Sequence, residues 1–238
     1  MKQRYIISVL IAAVFLLAFS QPTLRILSKF NYKISEPSDI CYSVATNTFF
    51  VVSDNGYLFE TDEQGKITRQ AKERGYDFEG VYSDEKYVYV SEEMTRKILL
   101  FDIATLEKVG VRQLHYNGGR NAGFESITYN ASKDKFIVIT EKNPIKIFEL
   151  DNNFLVTNEV KVKGVTDISS ATYHNGKIWL LSDEDHMVLQ CDANSYAIEK
   201  RYKLGVLNPE GICFNSKGEM LIVSDDMQMQ FNYGKIEQ

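Results

Sequence analysis

The stretch Asp77-Phe78-Glu79-Gly80-Val81-Tyr82, followed after a turn by Tyr87-Val88-Tyr89-Val90-Ser91-Glu92, decides how the chain is read. An acidic residue enters an apolar stretch, the chain turns, and an alternating strand ends in Ser-Glu. Alternation rich in Val and Tyr and bounded by turn residues predicts β-strands. The phrase returns as Gly123-Phe124-Glu125-Ser126-Ile127-Thr128-Tyr129 with Phe136-Ile137-Val138-Ile139-Thr140-Glu141. It returns as Asp167-Ile168-Ser169-Ser170-Ala171-Thr172-Tyr173 with Ile178-Trp179-Leu180-Leu181-Ser182-Asp183, and as Asn208-Pro209-Glu210-Gly211-Ile212-Cys213-Phe214 with Leu221-Ile222-Val223-Ser224-Asp225. The most divergent copy comes first, Glu36-Pro37-Ser38-Asp39-Ile40-Cys41-Tyr42 with Phe50-Val51-Val52-Ser53-Asp54. Positions 38, 79, 125, 169 and 210 correspond and lie 41 to 46 residues apart. A repeat of that length made of short strands is the signature of propeller blades.

Short turns such as Asn55-Gly56, Asn175-Gly176 and Asn215-Ser216-Lys217-Gly218 separate the strands and supply residues that tolerate positive φ. The first four copies add a third strand ending in an acid, for example Ile98-Leu99-Leu100-Phe101-Asp102, and then a more polar fourth strand such as Tyr196-Ala197-Ile198-Glu199-Lys200. The last copy reaches a third strand at about Met229 to Tyr233 and has no fourth. A spare strand-like segment, Phe30-Asn31-Tyr32-Lys33-Ile34, precedes the first copy. Surplus and deficit match, so the expected fold is an all-β, five-bladed β-propeller closed by an N-terminal strand that completes the last blade.

Residues 1–20 stand apart from the repeats. Lys2 and Arg4 precede an uncharged apolar run, Tyr5 to Phe19, and Ala18-Phe19-Ser20 offers small residues at a cleavage position. This is the layout of a secretory signal. The run is short for a membrane span of about 17–25 residues, although residues 5–19 could anchor the chain if the following residues contribute. The expectation is therefore an exported protein, either periplasmic or anchored and facing the periplasmic or extracellular side. Its domain organisation is a signal or anchor at 1–20 and a propeller at 21–238. The whole chain carries a formal charge of −5, and loss of Lys2 and Arg4 takes it to −7. With no basic stripe, nucleic acid is not the expected partner. Cys41, Cys191 and Cys213 are read as small apolar core residues. Cys41 and Cys213 hold equivalent repeat positions, which point the same way around a ring rather than at each other. Trp179 and the repeated tyrosines are expected to pack between blades. Asn130-Ala131-Ser132 fits a glycosylation acceptor.

The first strand of each propeller blade lines the central channel, so acids repeated there converge on one axis. Glu79, Glu125 and Glu210 hold that position, with Ser38 and Ser169 in the other two blades; Asp39, Asp77 and Asp167 lie one or two residues away. A second ring closes the following strands: Asp54, Glu92, Glu141, Asp183 and Asp225. Facing carboxylates repel and raise their pKa values unless a cation intervenes. Hard oxygen donors suit Ca²⁺, which takes six to eight oxygens. The candidate ligands are Glu79, Glu125, Glu210, Asp183 and Glu141. The competing reading makes these acids caps of blade turns. His115, His174 and His186 lack ligand partners at metal spacing, and His186 is read as a surface-loop residue. The sequence carries no nucleophile-elbow, zinc-protease or phosphate-loop motif.

The phrases Asp77-Phe78-Glu79-Gly80-Val81, Gly123-Phe124-Glu125-Ser126-Ile127, Leu181-Ser182-Asp183-Glu184 and Pro209-Glu210-Gly211-Ile212 resemble the SdiA-regulated (YjiK-like) family over about residues 36–233. The resemblance implies a five-bladed propeller, distantly similar to NHL-repeat propellers, behind an N-terminal signal or anchor. It also implies calcium binding and a role in calcium-linked homeostasis, with no established reaction. Ser169 and Ser38 depart from the repeated acid. Two functions follow: a calcium-binding module that presents a face to a protein or small-molecule ligand, or a metal-dependent hydrolase of lactonase or phytase type. The hydrolase calls for a general base beside the metal. Because mainly carboxylates are on offer, binding is the favoured reading.

Overall fold

The computed structural model describes residues 21–116 and 123–236, so the segment 1–20 read as signal or anchor lies outside the described residues. The first strand, β1 (Ser28–Asn31), joins the end of the chain. Blade 1 holds β2 (Pro37–Ser43), β3 (Thr48–Ser53), β4 (Tyr57–Thr61) and β5 (Ile67–Gln70). Blade 2 holds β6 (Phe78–Ser83), β7 (Tyr87–Glu92), β8 (Lys97–Asp102) and β9 (Lys108–Gln113). In blade 3 are β10 (Ser126–Asn130), β11 (Lys135–Ile139), β12 (Lys146–Leu150) and β13 (Val156–Lys161). Blade 4 comprises β14 (Ser170–His174), β15 (Lys177–Ser182), β16 (Met187–Asp192) and β17 (Ile198–Lys203). Blade 5 is β18 (Pro209–Phe214), β19 (Glu219–Ser224) and β20 (Met229–Lys235), with β1 as its outer strand. All pairings within these sheets are antiparallel, as hairpin connections require.

The closure expected from the sequence is present, two residues upstream of the predicted segment. β1 pairs with β20 in the register Ser28↔Asn232 to Asn31↔Met229. The N-terminal chain also crosses to blade 4, where Thr23 bridges Lys203 in parallel. Tyr32 and Ile34, expected in the strand, instead turn inward as buried residues between blades 5 and 1. The outer strand of blade 4 starts at Ile198 rather than Tyr196, because Tyr196 adopts φ 61° and buries its ring. At the inner hairpin of that blade, Asn175 (φ 50°) and Gly176 (φ 73°) form the left-handed pair that suits strand twist.

Five hydrophobic clusters fill the five blade–blade interfaces. Phe50, Phe78 and Phe101 lie between blades 1 and 2, and Tyr89, Phe124 and Phe148 between blades 2 and 3. Trp179, Ile212 and Phe231 pack between blades 4 and 5. Burying one such side chain stabilises by about 1.5–3 kcal/mol, so the ring is held by face-to-face packing rather than by its loops. The three cysteines are free and buried, as expected, with Cys191 in the cluster between blades 3 and 4. Asn130 is also fully buried and its side-chain amide donates to the Ala193 carbonyl at 2.6 Å, so it is no glycan acceptor in the folded chain.

On the channel side, each inner strand is a sheet edge whose N–H groups need acceptors. Three axial side chains supply them. Asp39 Oδ1 accepts from the Ile40 N–H at 2.8 Å and from the Ser170 hydroxyl at 2.6 Å, and its Oδ2 accepts from the Val81 N–H at 2.9 Å. Ser170 Oγ accepts from the Ile212 N–H at 3.2 Å, and Ser126 Oγ from the Ala171 N–H at 2.9 Å. Gly80 and Gly211 hold the equivalent positions in the other two blades, where the axis has no room left. A Cβ on Gly80 would lie 2.5 Å from Ser91 Oγ and 2.7 Å from both the Ile127 nitrogen and the Ser126 Cα. Gly80→Ala is therefore expected to cost about 1–3 kcal/mol, measured by urea denaturation; wild-type stability would show that the axis yields.

Candidate functional site

The plug formed by Asp39, Ser126 and Ser170 divides the channel, and the acids gather on one side of it. In blades 1, 2 and 5 the inner pair breaks register between Pro37 and Asp39, Phe78 and Gly80, and Pro209 and Gly211. The extra residue of each bulge is Ser38, Glu79 or Glu210, and a bulge re-aims its side chain. The residue before each strand takes a left-handed φ: Glu36 52°, Asp77 56° and Asn208 41°. Its carbonyl accepts the N–H of Asp54, Glu93 or Asp225 at 3.0–3.2 Å. Local geometry thus sets both rings at the same mouth.

That register corrects one member of the second ring. Glu92 pairs with Phe78, as Ser53 pairs with Pro37 and Ser224 with Pro209, so the acid equivalent to Asp54 and Asp225 is Glu93. Glu92 is buried and caps its own turn, accepting from the Tyr76 N–H at 2.9 Å and from the Thr95 hydroxyl. The signal for Glu93 was present in Ser91-Glu92-Glu93, but only the bulge register separates the two acids. Asp167 is likewise a turn cap. It accepts from the Ser182 hydroxyl at 2.5 Å and from the N–H groups of Asp183 and Glu184. Asp39, adjacent to the first ring in sequence, belongs to the plug.

Glu79, Glu125 and Glu210 meet at the mouth. Burial pushes the Glu79 carboxyl well up, and Asp54, Asp77, Glu93 and Glu210 add to the shift. Burial also raises Glu125, with Glu79, Glu93 and Glu141 reinforcing it. Glu210 is pushed up to about 8 by burial, then by Asp183 and Asp54. Asp77, Asp183 and Asp225 are raised in the same direction, each chiefly by burial. No ion pair among the described residues reaches Glu79, Glu125 or Glu210. Glu141 differs, since Lys142 Nζ sits 2.6 Å from its carboxylate and 3.2 Å from that of Glu184. Asp183 keeps one buried oxygen, Oδ1, with no hydrogen-bond partner among the described residues. His186 is exposed, as expected, yet close enough to Asp183 to oppose the rise of its pKa.

The donors are hard carboxylate oxygens, which in kind suit Ca²⁺. As they stand, no three Asp, Glu, His or Cys side chains among the described residues are gathered closely enough to form a ready-made metal site. Carboxyls brought together raise one another's pKa values, and Glu93 lies close enough to Asp77 and Glu125 to push both up.

The fold is similar to the crystal structure of Myxococcus xanthus glutaminyl cyclase, with a TM-score of 0.71 at 15% identity, over 89% of this chain and 96% of that one. At that identity the likeness establishes the propeller alone. The SdiA-regulated family model matches residues 27–228, from the closing strand to the turn before β20 in the last blade. Blades, bulges and acidic mouth thus fall within one family pattern, and the chain belongs to the SdiA-regulated family.

Proposed function

We propose that the acidic mouth binds Ca²⁺ and that the protein is an exported, non-enzymatic propeller that presents this mouth to a protein or small-molecule ligand, in calcium-linked homeostasis or signalling. The observation that carries the reading is the convergence of Glu79, Glu125 and Glu210 on one mouth, where none of the three forms an ion pair among the described residues. Glu79, Glu125, Glu210, Asp183 and Glu141 would hold the ion, joined by Glu93. The unpartnered Asp183 Oδ1 is a ready ligand atom, whereas Glu141 would have to leave Lys142. A bound cation adds positive charge among the three glutamates and displaces their protons, so affinity rises with pH. Exposed apolar side chains stand beside the acids: Tyr76 and Met94 in blade 2, Leu207 and Met227 in blade 5. Such a rim favours docking of a partner over solvent.

Calorimetric Ca²⁺ titration of the intact protein, paired with thermal melts in Ca²⁺ and in EGTA, is the test. A saturable isotherm and a raised Tm are expected, both lost in the Glu79→Gln, Glu125→Gln double variant. Absence of heat and of any Tm shift would sink the metal reading. The raised pKa of Glu210 also suits a general acid, which keeps the hydrolase reading open to one experiment. Turnover of a lactone or phosphoester that requires Ca²⁺ and fails in Glu210→Gln would replace the binding module by an enzyme.

A further inference from the structure

Beyond the plug, at the opposite end of the channel, lies a cavity of about 760 Å³. It opens where the inner strands turn into β3, β7, β11, β15 and β19, and none of its lining residues belongs to the acidic mouth. Ile40, Val81, Ala171 and Cys213 make its buried floor. Its walls are aromatic: Tyr42, Tyr82, Tyr129, Tyr173, Phe214 and His174, drawn from the inner strands of all five blades.

These rings are held in place before any ligand arrives. The Tyr42 hydroxyl donates to Asn47 at 2.7 Å, and that of Tyr129 to Asp134. The Tyr173 and Ser132 hydroxyls share a hydrogen bond of 3.1 Å between blades. His174 stacks on Phe214 at 4.1 Å, nearly parallel. A fixed aromatic wall loses little entropy on binding.

The charge around the cavity is one-sided. Asp84 and Glu85 line it, and no Lys or Arg does so among the described residues. The lysines of the adjoining turns are engaged elsewhere. Lys86 lies over the Tyr87 ring, Lys133 pairs with Glu149, and Lys217 pairs with Glu63. Burial lowers the His174 pKa, so its imidazole is neutral at pH 7. Asp84 is already spent on the turn, accepting from the N–H groups of Lys86 and Tyr87 and from the Tyr89 hydroxyl, which leaves the exposed Glu85 as the carboxylate nearest solvent. The floor thiols are poor nucleophiles, because burial pushes Cys41 up to about 12 and Cys213 well above its ordinary value. The site is built for binding rather than for covalent chemistry.

We propose that this cavity binds a small organic cation with an apolar body, an aryl- or alkyl-substituted ammonium, seated against the tyrosine faces with its charge toward Asp84 and Glu85. Its volume is within the usual range for small-molecule sites, about 300–1,000 Å³. Aromatic faces attract cations within about 6 Å of the ring centroid, and most strongly where water is excluded. An anion would meet two carboxylates and no base. The inference is independent of the calcium reading, since the two sites share no side chain.

The protein carries its own reporter. Trp179, its single tryptophan, lies 5.1 Å from the Phe214 ring and donates from Nε1 to the His174 carbonyl at 3.4 Å. Trp179 fluorescence in the intact protein is titrated with benzyltrimethylammonium, with benzenesulfonate as the matched anion. A saturable change at roughly millimolar concentration is expected for the cation, with the anion at least about tenfold weaker. Tyr129→Leu and Val44→Arg should each weaken the cation about tenfold. Val44 is 86% exposed at the cavity mouth, so the arginine adds repulsion without touching the core. The Glu79→Gln, Glu125→Gln variant should bind like wild type, which separates this site from the acidic mouth. No saturation, an equal response to the sulfonate, or loss of binding in the glutamine variant alone would each overturn the proposal.

Discussion

Asp39→Ala is expected to destabilise the propeller by roughly 3–5 kcal/mol, a drop of about 10 °C in Tm for a domain of this size. Asp39 is 1% exposed and its two oxygens collect donors from three blades: its own Ile40 N–H, the Val81 N–H of blade 2 and the Ser170 hydroxyl of blade 4. Through Ser170 the network reaches Ile212 of blade 5. Truncation leaves two backbone N–H groups without their carboxylate at the axis, and an unpaired buried donor costs about 1–3 kcal/mol. It also opens a void at the level of the plug, where Asp39, Ser126 and Ser170 are buried. Burial pushes the Asp39 carboxyl well up while these hydrogen bonds pull it down, so the site is costly to build and more costly to leave half built. Asp39→Asn keeps the shape but turns an amide toward a backbone donor, and should lie between alanine and wild type. Urea denaturation and thermal melts give the values. A loss below about 1 kcal/mol for Asp39→Ala would show that water replaces the carboxylate and that the plug is not what ties the blades.

The same residue shows where reading the sequence reached its limit. Period, strand content and closure were legible, because alternation, turn residues and a surplus strand are local signals repeated five times. The convergence of Glu79, Glu125 and Glu210 was legible for the same reason. Asp39 was not, because Asp next to Ser38 in a divergent first repeat looks like one more mouth acid. Only the bulge at Ser38 sends it to the plug. Glu92 and Glu93 differ by one position, and a one-residue change in strand register exchanges faces; composition cannot resolve that, whereas pairing with Phe78 does. The closing strand was placed late because Tyr32 and Ile34 are apolar for another purpose, filling the seam between blades 5 and 1. The aromatic cavity was hidden for a related reason. Tyr42, Tyr129, Tyr173 and Phe214 occupy one repeat position, but Tyr82 stands one residue earlier. Repeated tyrosines read equally as interblade packing, which Tyr82 and Tyr89 also provide.

Cation-free protein should lose stability as pH rises from 5 to 8, the reverse of the behaviour of a protein whose acids are paired. Glu79, Glu125 and Glu210 each have a folded pKa above the unfolded value. Between the two values the folded chain holds the extra proton, so stability falls with pH through that window and the loss is complete above the folded pKa. For Glu210 the window runs from the ordinary glutamate value to about 8. Asp77, Asp183 and Asp225 act in the same sense, as does Asp39 in the plug. His174 acts oppositely, since its lowered pKa favours the folded state as pH rises, but it is one group against several. Glu149, Glu219 and Asp192 have lowered pKa values, and their stability is lost only on acidification below the window. The expected result in EDTA is a Tm roughly 5–10 °C lower at pH 8 than at pH 5. Glu79→Gln, Glu125→Gln and Glu210→Gln combined should reduce that slope, leaving the share of the four aspartates, and raise Tm at pH 8, because neutral amides remove the repulsion without removing volume. Millimolar Ca²⁺ should raise the wild type at pH 8 and leave the triple variant unmoved. If the variant reduces the slope but Ca²⁺ does nothing to the wild type, the mouth is a strained acidic cluster and the calcium reading fails. If the slope itself is absent, the carboxyls are solvated and the electrostatic account of the mouth is wrong.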